Sequence, residues 1–258
     1  MKLLFKYIKI HFMSQLEYKT SFILLTLGQF FVPFLIFVSM ILLFNRFENL
    51  QGWTLYEVAL IYSIIHMSFS ISELIARGFD MFRHMVREGT FDRVLIRPRS
   101  TIIQVIGSKI EFTRVGRLIQ SIIVMTLSIV HLDMTWSVEK IGLLILMVIS
   151  GIFVFSGIFI LGATLCFWTI EGLEVVNLFA DGGKEMAQYP LGIYQKWIKN
   201  FFTFVIPFGV INYYPMLYLF EKTDQVFYAI TPVFGILFII PCVLIWNFGV
   251  GHYKSIGS

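Results

Sequence analysis

Charge is scarce in this chain. Only 14% of its 258 residues are Asp, Glu, Lys or Arg, where an ordinary soluble domain has about a quarter. A soluble fold of this length wraps one or two cores in a charged shell, and 20 Lys+Arg with 16 Asp+Glu cannot build it. Cysteine is nearly absent. Cys166 and Cys242 lie far apart in apolar runs without a C-x-x-C spacing, so they read as core-packing thiols rather than a disulfide framework or a zinc site. Seven Pro and 19 Gly are too few for a collagen-like or low-complexity chain. A formal charge of +4 is too small an excess to point to nucleic acid.

Apolar length is what the chain has in quantity. Hydrophobic residues make up 57%, with 28 Phe among them, and the mean hydropathy is +0.80. About 20 apolar residues cross the hydrocarbon of a bilayer as a helix. Six stretches qualify, at about 21–44, 58–75, 102–132, 141–167, 198–219 and 226–246. The expectation is an all-α, polytopic membrane protein whose residues 1–258 form a single transmembrane domain. Gly151, Gly157 and Gly162 give the fourth stretch the small-residue spacing of close helix contact. Two acids fall within these stretches: Glu111, with Lys109, Arg114 and Arg117 in the hydrophilic first half of the third, and Glu73, near the end of the second, where interfacial water is within reach. No intramembrane charge pair marks a substrate site.

Six spans place both ends of the chain on one side of the membrane. With that arrangement, all but Arg46, Lys140 and Lys222 of the 20 Lys+Arg fall on the side of the termini. The positive-inside rule then gives N-in and C-in. Residues 1–19 read as an interfacial amphipathic helix, with Lys2, Lys6 and Lys9 on one face and Leu4, Phe5, Ile8, Phe12 and Leu16 on the other. A signal peptide would have a shorter apolar core and a small-residue cleavage site.

The motifs of catalysis are missing. Gly182-Gly183-Lys184 is followed by Glu185 and has no glycine at 178, so it is not a phosphate-binding loop. No H-E-x-x-H occurs, and His11, His66, His84, His131 and His252 are scattered. His66 near Ser63, Ser68 and Ser70 invites a hydrolase reading, but no G-x-S-x-G elbow accompanies them, and polar residues in a span serve interhelical hydrogen bonds. Glu171 and Glu174 fall one turn apart without the further ligands that a metal needs and read as a solvated helix face.

The longest hydrophilic stretch, 77–100, carries a short helical pattern over 80–87, with Phe79, Phe82, Met85 and Val86 on one side and Arg83 and Arg87 on another. Gly89 supplies a helix stop, and Ile96-Arg97-Pro98 an extended approach to a helix capped at Ser100 or Thr101. At these residues the chain resembles the permease subunits of ABC-2 type exporters, in their six-span bacterial branch. The resemblance rests on Gly89-x-x-Asp92-x-x-Leu95-x-Arg97-Pro98 and on Tyr189-Pro190 with Ile193-Tyr194. It rests equally on Ile206-Pro207-Phe208-Gly209 with Asn212-Tyr213-Tyr214-Pro215, and on the tail Trp246-x-x-Gly249-x-x-x-Tyr253-x-Ser255-x-Gly257.

The resemblance implies two permeases, identical or related, forming a pathway in the bacterial cytoplasmic membrane, with two ABC ATPase subunits beneath that bind ATP and Mg. This chain itself would hold no cofactor and would not be an enzyme. It also implies that residues 77–99 form the ATPase-coupling segment (Phe79, Phe82, Arg83, Arg87, Glu88, Gly89, Asp92, Arg97, Pro98), its Phe and Met face seated in an ATPase groove. The proline-interrupted region (Pro207, Gly209, Asn212, Tyr214, Pro215) would be a bent, gate-like helix toward the outer face. Pathway walls of Phe, Met and Tyr suit an amphipathic or hydrophobic substrate such as a lipid, drug or peptide. Two other readings stay open: a non-transporting scaffold, and a secondary transporter or channel, against which the two halves of the chain show no matching pattern.

Overall fold

In a computed structural model the structure describes residues 2–169 and 172–255. The described residues are nearly all helical, with one isolated bridge between Leu50 and Trp53. Apolar sequence in a bilayer has no water to satisfy its backbone, and the helix answers this locally. The elements are α1 (Lys2–Glu17), α2 (Lys19–Arg46), α3 (Leu55–Asp80), α4 (Phe82–Arg87), α5 (Asp92–Leu95), α6 (Thr101–Ser108) and α7 (Val115–His131). They continue with α8 (Val138–Leu165), α9 (Gly172–Ala187), α10 (Lys196–Phe204), α11 (Tyr214–Leu219), α12 (Phe227–Ile230), α13 (Pro232–Leu237) and α14 (Ile239–His252).

α3 is the axis of the bundle, flanked by α7 and α8. It starts from a capping box: the Glu57 N–H donates to Thr54 Oγ1, and the Thr54 N–H donates to Glu57 Oε2 at 2.8 Å. Its serines then stitch it to α8. Ser68 donates to the Val148 carbonyl at 3.1 Å and Ser72 to the Ile152 carbonyl at 2.7 Å. Gly151 makes this approach possible, since a methyl group there would run into Ser68. α2 lies outermost. Only Pro33, Phe37, Met40 and Phe44 of its residues are buried, so α2 presents most of its side chains outward.

Two crossings differ from the sequence expectation. Residues 102–132 do not form one helix. α6 ends at Ser108, residues 109–111 are extended, and a tight turn at Phe112–Arg114 starts the third crossing, which spans Phe112–His131. Lys109, Glu111 and Arg114 belong to this break, where the chain passes from α6 lying beside α1 to a helix in the bundle. The fifth crossing is also not a single helix over 198–219. Lys196–Phe204 and Gly209–Leu219 meet at 89°, and α9 supplies the lower part.

Contacts along α3 fix these depths. His66 lies ~17 Å and Phe69 ~21 Å along α3 from Leu55, at 1.5 Å per residue. Lys184 of α9 reaches the Phe69 ring, and Gln188, just after α9, bonds to His66. Phe208 sits beside Phe155, itself against Phe69, while Phe220, just past α11, packs on Trp53 at the opposite end. α9, α10 and α11 therefore carry the chain across once, in three pieces. With α2, α3, α7, α8 and the run α12–α14 this makes six crossings. Both ends of the described chain accordingly meet at one end of the bundle, where the Ser255 hydroxyl donates to Asp92 Oδ2 at 2.7 Å.

Candidate coupling and pathway sites

The segment after α3 folds back on the bundle. α3 ends at Asp80, α4 follows after Met81, and Gly89 adopts φ +66°, the left-handed stop its position requires. The Gly89 N–H donates to the Val86 carbonyl, and the Phe91 N–H to Met85, which closes the turn. The turn brings Phe91 onto Phe82 with ring centroids 4.9 Å apart, and both rings meet Phe167 and Trp246. Tyr253 completes the cluster against Phe91 at 5.1 Å. Burial, then the Asp92 carboxylate, pushes the Tyr253 phenol up to about 12, so it stays protonated at neutral pH.

This corrects the expectation for the phenylalanine face. Phe79 and Phe82 are 0% exposed, buried in the chain's own core, and cannot also seat in a partner's groove. The physical reason is that Trp246, Phe167 and Phe91, far apart in sequence, converge on the same face. The outer surface of the segment is instead Arg87, Glu88, Arg93, Leu95, Ile96, Arg97, Pro98 and Arg99, with Ile96 82% exposed. Arg83 and Asp92 are half-buried. Gln104 of α6 steadies the base of this surface by donating to the Val94 and Arg99 carbonyls, both at 3.1 Å.

Above the segment lies a charged cluster that was not legible in the sequence. Glu73 is buried and accepts from Arg117 at 2.8 Å, with Arg114 at 3.5 Å and Arg77 at 3.6 Å. The other arm of the Arg117 guanidinium donates to Gln29 of α2 at 2.9 Å. The expectation that Glu73 reaches interfacial water is thus replaced by an ion-paired carboxylate joining α2, α3 and α7. Glu73 and Arg117 are distant in sequence, and Arg117 was read with the hydrophilic first half of a long helix.

The chain after α8 brings a second set of charges inward. Glu171 and the tail residue Gly257 lie outside the described residues, and the Glu174 side chain is not described. Lys184, expected in the loop beside the termini, is buried in the bundle with its Nζ 4.7 Å from the Phe69 ring centroid. The Arg117 guanidinium lies 5.1 Å from the same ring. Glu185 at 3.1 Å and Asp181 at 3.6 Å balance Lys184. Gln188 links Glu185 to His66 through bonds of 2.8 and 3.1 Å. The readable signal was Asp181, Lys184, Glu185 and Gln188 at i, i+3, i+4 and i+7, one polar stripe on a helix. Among the described residues His66 has no serine partner: the Ser63 and Ser68 hydroxyls go to carbonyls, and the Ser70 hydroxyl makes no hydrogen bond.

The bent helix has the geometry of a joint. Pro207, Gly209, Asn212 and Pro215 are buried and Tyr214 is half-buried. Gly209–Tyr213 forms a π-turn, and Pro215 lacks the N–H that would close on Ile211 in an α-helix. Side chains hold the break together: Asn212 Nδ2 donates to the Ala187 carbonyl at 2.8 Å and Thr231 Oγ1 to the Val210 carbonyl at 2.9 Å. Among the described residues no group of His, Cys, Asp and Glu is arranged to hold a metal ion.

Neither the curated proteins nor the solved structures gave a match to this chain. A family model described as ABC-2 family transporter protein matches residues 30–257, which takes in the hydrophilic segment after α3, Glu73 with its arginines, the bent crossing and the tail. The chain belongs to the ABC-2 family of transporter membrane proteins.

Proposed function

We propose that this chain is the permease subunit of an ATP-driven exporter in a bacterial cytoplasmic membrane, both termini cytoplasmic. Two such permeases, identical or related, enclose the pathway for an amphipathic or hydrophobic substrate, and two ABC ATPase subunits dock at the end of the bundle that carries the termini. ATP and Mg are held by those subunits. One observation carries the reading: the exposed strip Leu95–Arg99 rides on a segment whose inner face is locked to Trp246 of the last crossing and Phe167 below the fourth. A push on the strip moves these two crossings and α3, which leads directly into the segment, and through the Glu73–Arg117 pair it reaches α7.

Packing on the strip outweighs its charge in this scheme. Full burial of one large aliphatic side chain contributes about 1.5–3 kcal/mol, and an exposed ion pair about 0.2–1 kcal/mol. Ile96 is therefore the docking anchor, and Arg97 and Arg99 set its orientation. The polar stripe of α9 and the Glu73 cluster line the lower part of the pathway, and the break at 205–213 is its gate.

The test is purification of the native protein from its own membrane under mild detergent. The proposal expects an ABC ATPase to co-purify, and ATP hydrolysis by the complex to fall when Ile96→Asp is introduced while the bundle keeps its thermal stability. A chain that purifies free of any ATPase and supports ion or solute flux without ATP is a secondary transporter or channel. A chain that supports no flux at all is a scaffold.

A further inference from the structure

A groove of about 660 Å³ runs between the bent crossing and the first half of the last one, walled by Phe204, Val210, Tyr214, Tyr228, Phe234 and Phe238 among others. Its volume falls in the range of small-molecule sites, about 300–1,000 Å³, and its character matches theirs, an apolar wall with a few polar groups. Thr203, Thr231 and the two tyrosines supply those groups. The groove is open laterally, since Phe204 is 81% and Phe234 49% exposed.

A lone cation stands at its upper end. Lys199 Nζ lies 4.7 Å from the Tyr213 ring centroid and 5.7 Å from that of Tyr214, a groove wall. Tyr213 in turn packs on Trp53, which Lys222 also touches. Trp and Tyr beside Lys mark the interfacial level of a membrane protein. Among the described residues no carboxylate comes within ion-pair distance of Lys199, whereas Lys140, Lys184 and Lys222 each have one. The groove then descends from Tyr228 to Phe238, ten residues or ~15 Å of helix, about half of the ~30 Å hydrocarbon. Phe238 sits against Gly157.

From this juxtaposition we infer that the groove is a binding site for one anionic phospholipid of the leaflet at the Trp53 end. The headgroup phosphate pairs with Lys199, which the tyrosine rings hold at the interface. One acyl chain lies along Phe204, Val210, Phe234 and Phe238. The charge complementarity selects an anion, and the one-leaflet depth selects a lipid tail. The site does not depend on the transport reading above.

The test uses the full chain in nanodiscs of phosphatidylcholine carrying a trace of phospholipid with a photoreactive acyl chain, either phosphatidylglycerol or phosphatidylcholine, with the labelled residues mapped by mass spectrometry. The expected result is concentrated labelling at Phe204, Phe234 and Leu237 by the phosphatidylglycerol probe. Lys199→Gln should lower it about fivefold, equivalent to about 1 kcal/mol, and Lys199→Arg should restore it. Val210→Trp, which fills the groove, should abolish it without altering labelling of α2. Labelling spread evenly over the lipid-facing helices, or equal with both probes and indifferent to Lys199→Gln, overturns the site. Crosslinks between two copies of the chain at these residues, with no lipid adduct, overturn it in favour of a subunit interface.

Discussion

The carboxamide of Gln15 closes on the backbone of Phe112, accepting its N–H at 3.0 Å, while donating to the Ile110 carbonyl at 2.6 Å. The break between α6 and the third crossing leaves these backbone groups without helical partners, and one side chain of α1 satisfies both. His11 adds a bond to the Gly107 carbonyl at 2.9 Å, and Phe12 packs edge-on against Phe112. The N-terminal helix is thereby tied to the root of the third crossing.

Gln15→Ala should cost about 1–3 kcal/mol, the penalty for leaving partly buried backbone groups unpaired. Hydrogen exchange at residues 110–114 should quicken and α1 should become protease-sensitive. Gln15→Glu keeps the acceptor and loses the donor, so its effect should be intermediate.

Glu73→Gln should be more severe, at about 3–5 kcal/mol, because Arg117 and Arg114 would stay buried without a counter-charge. The combined variant Glu73→Gln with Arg117→Met should recover much of the loss. Thermal unfolding in one detergent compares the two, and a double variant no better than the single would show that the ion pair is not the source of the cost.

Phe82→Ala and Ile96→Ala should separate stability from docking. The first empties a site walled by the Phe91, Phe167 and Trp246 rings and should cost about 3–5 kcal/mol of stability. The second trims a side chain that is 82% exposed and should leave the unfolding midpoint in place while weakening ATPase association. Equal effects of the two on midpoint and on association would refute this division of labour.

Gly89→Ala places a side chain at φ +66° and should destabilise the turn by about 1–2 kcal/mol. The first consequence should be release of the tail, read as proteolysis between Tyr253 and Ser255, since Asp92 is positioned by that turn.

The orientation is checked by membrane-impermeant thiol labelling in intact cells. Cysteines at Asn49 and Asp133 should react from outside, and cysteines at His84 and Lys254 only after lysis. Lys199→Cys should also react from outside, because the structure places Lys199 at the Trp53 end.

Apolar length and its recurrence along the chain determined by themselves that this is an all-helical bundle of membrane-crossing helices. These properties are summed over many residues and set by the bilayer. Local chemistry was legible in the same way: Gly89 as a left-handed stop, a helix beginning at Ser100 and Thr101 (though the Ser100 side chain makes no capping bond), and a bend in the region of Pro207 to Pro215. Sequence did not decide which apolar face is buried within the chain and which is offered to a partner. Phe82 and Ile96 are both large and apolar, and only the convergence of Phe91, Phe167 and Trp246 separates them. Nor could it place the charges. Lys184, Lys199 and Arg117 were all counted with the basic residues on the side of the termini, yet the fold brings Lys199 to the Trp53 end and the other two to the Phe69 ring, where Glu73 and Glu185 offset their loss of water. A charge can enter a bundle only where its partners meet it, and that meeting is a property of the tertiary structure.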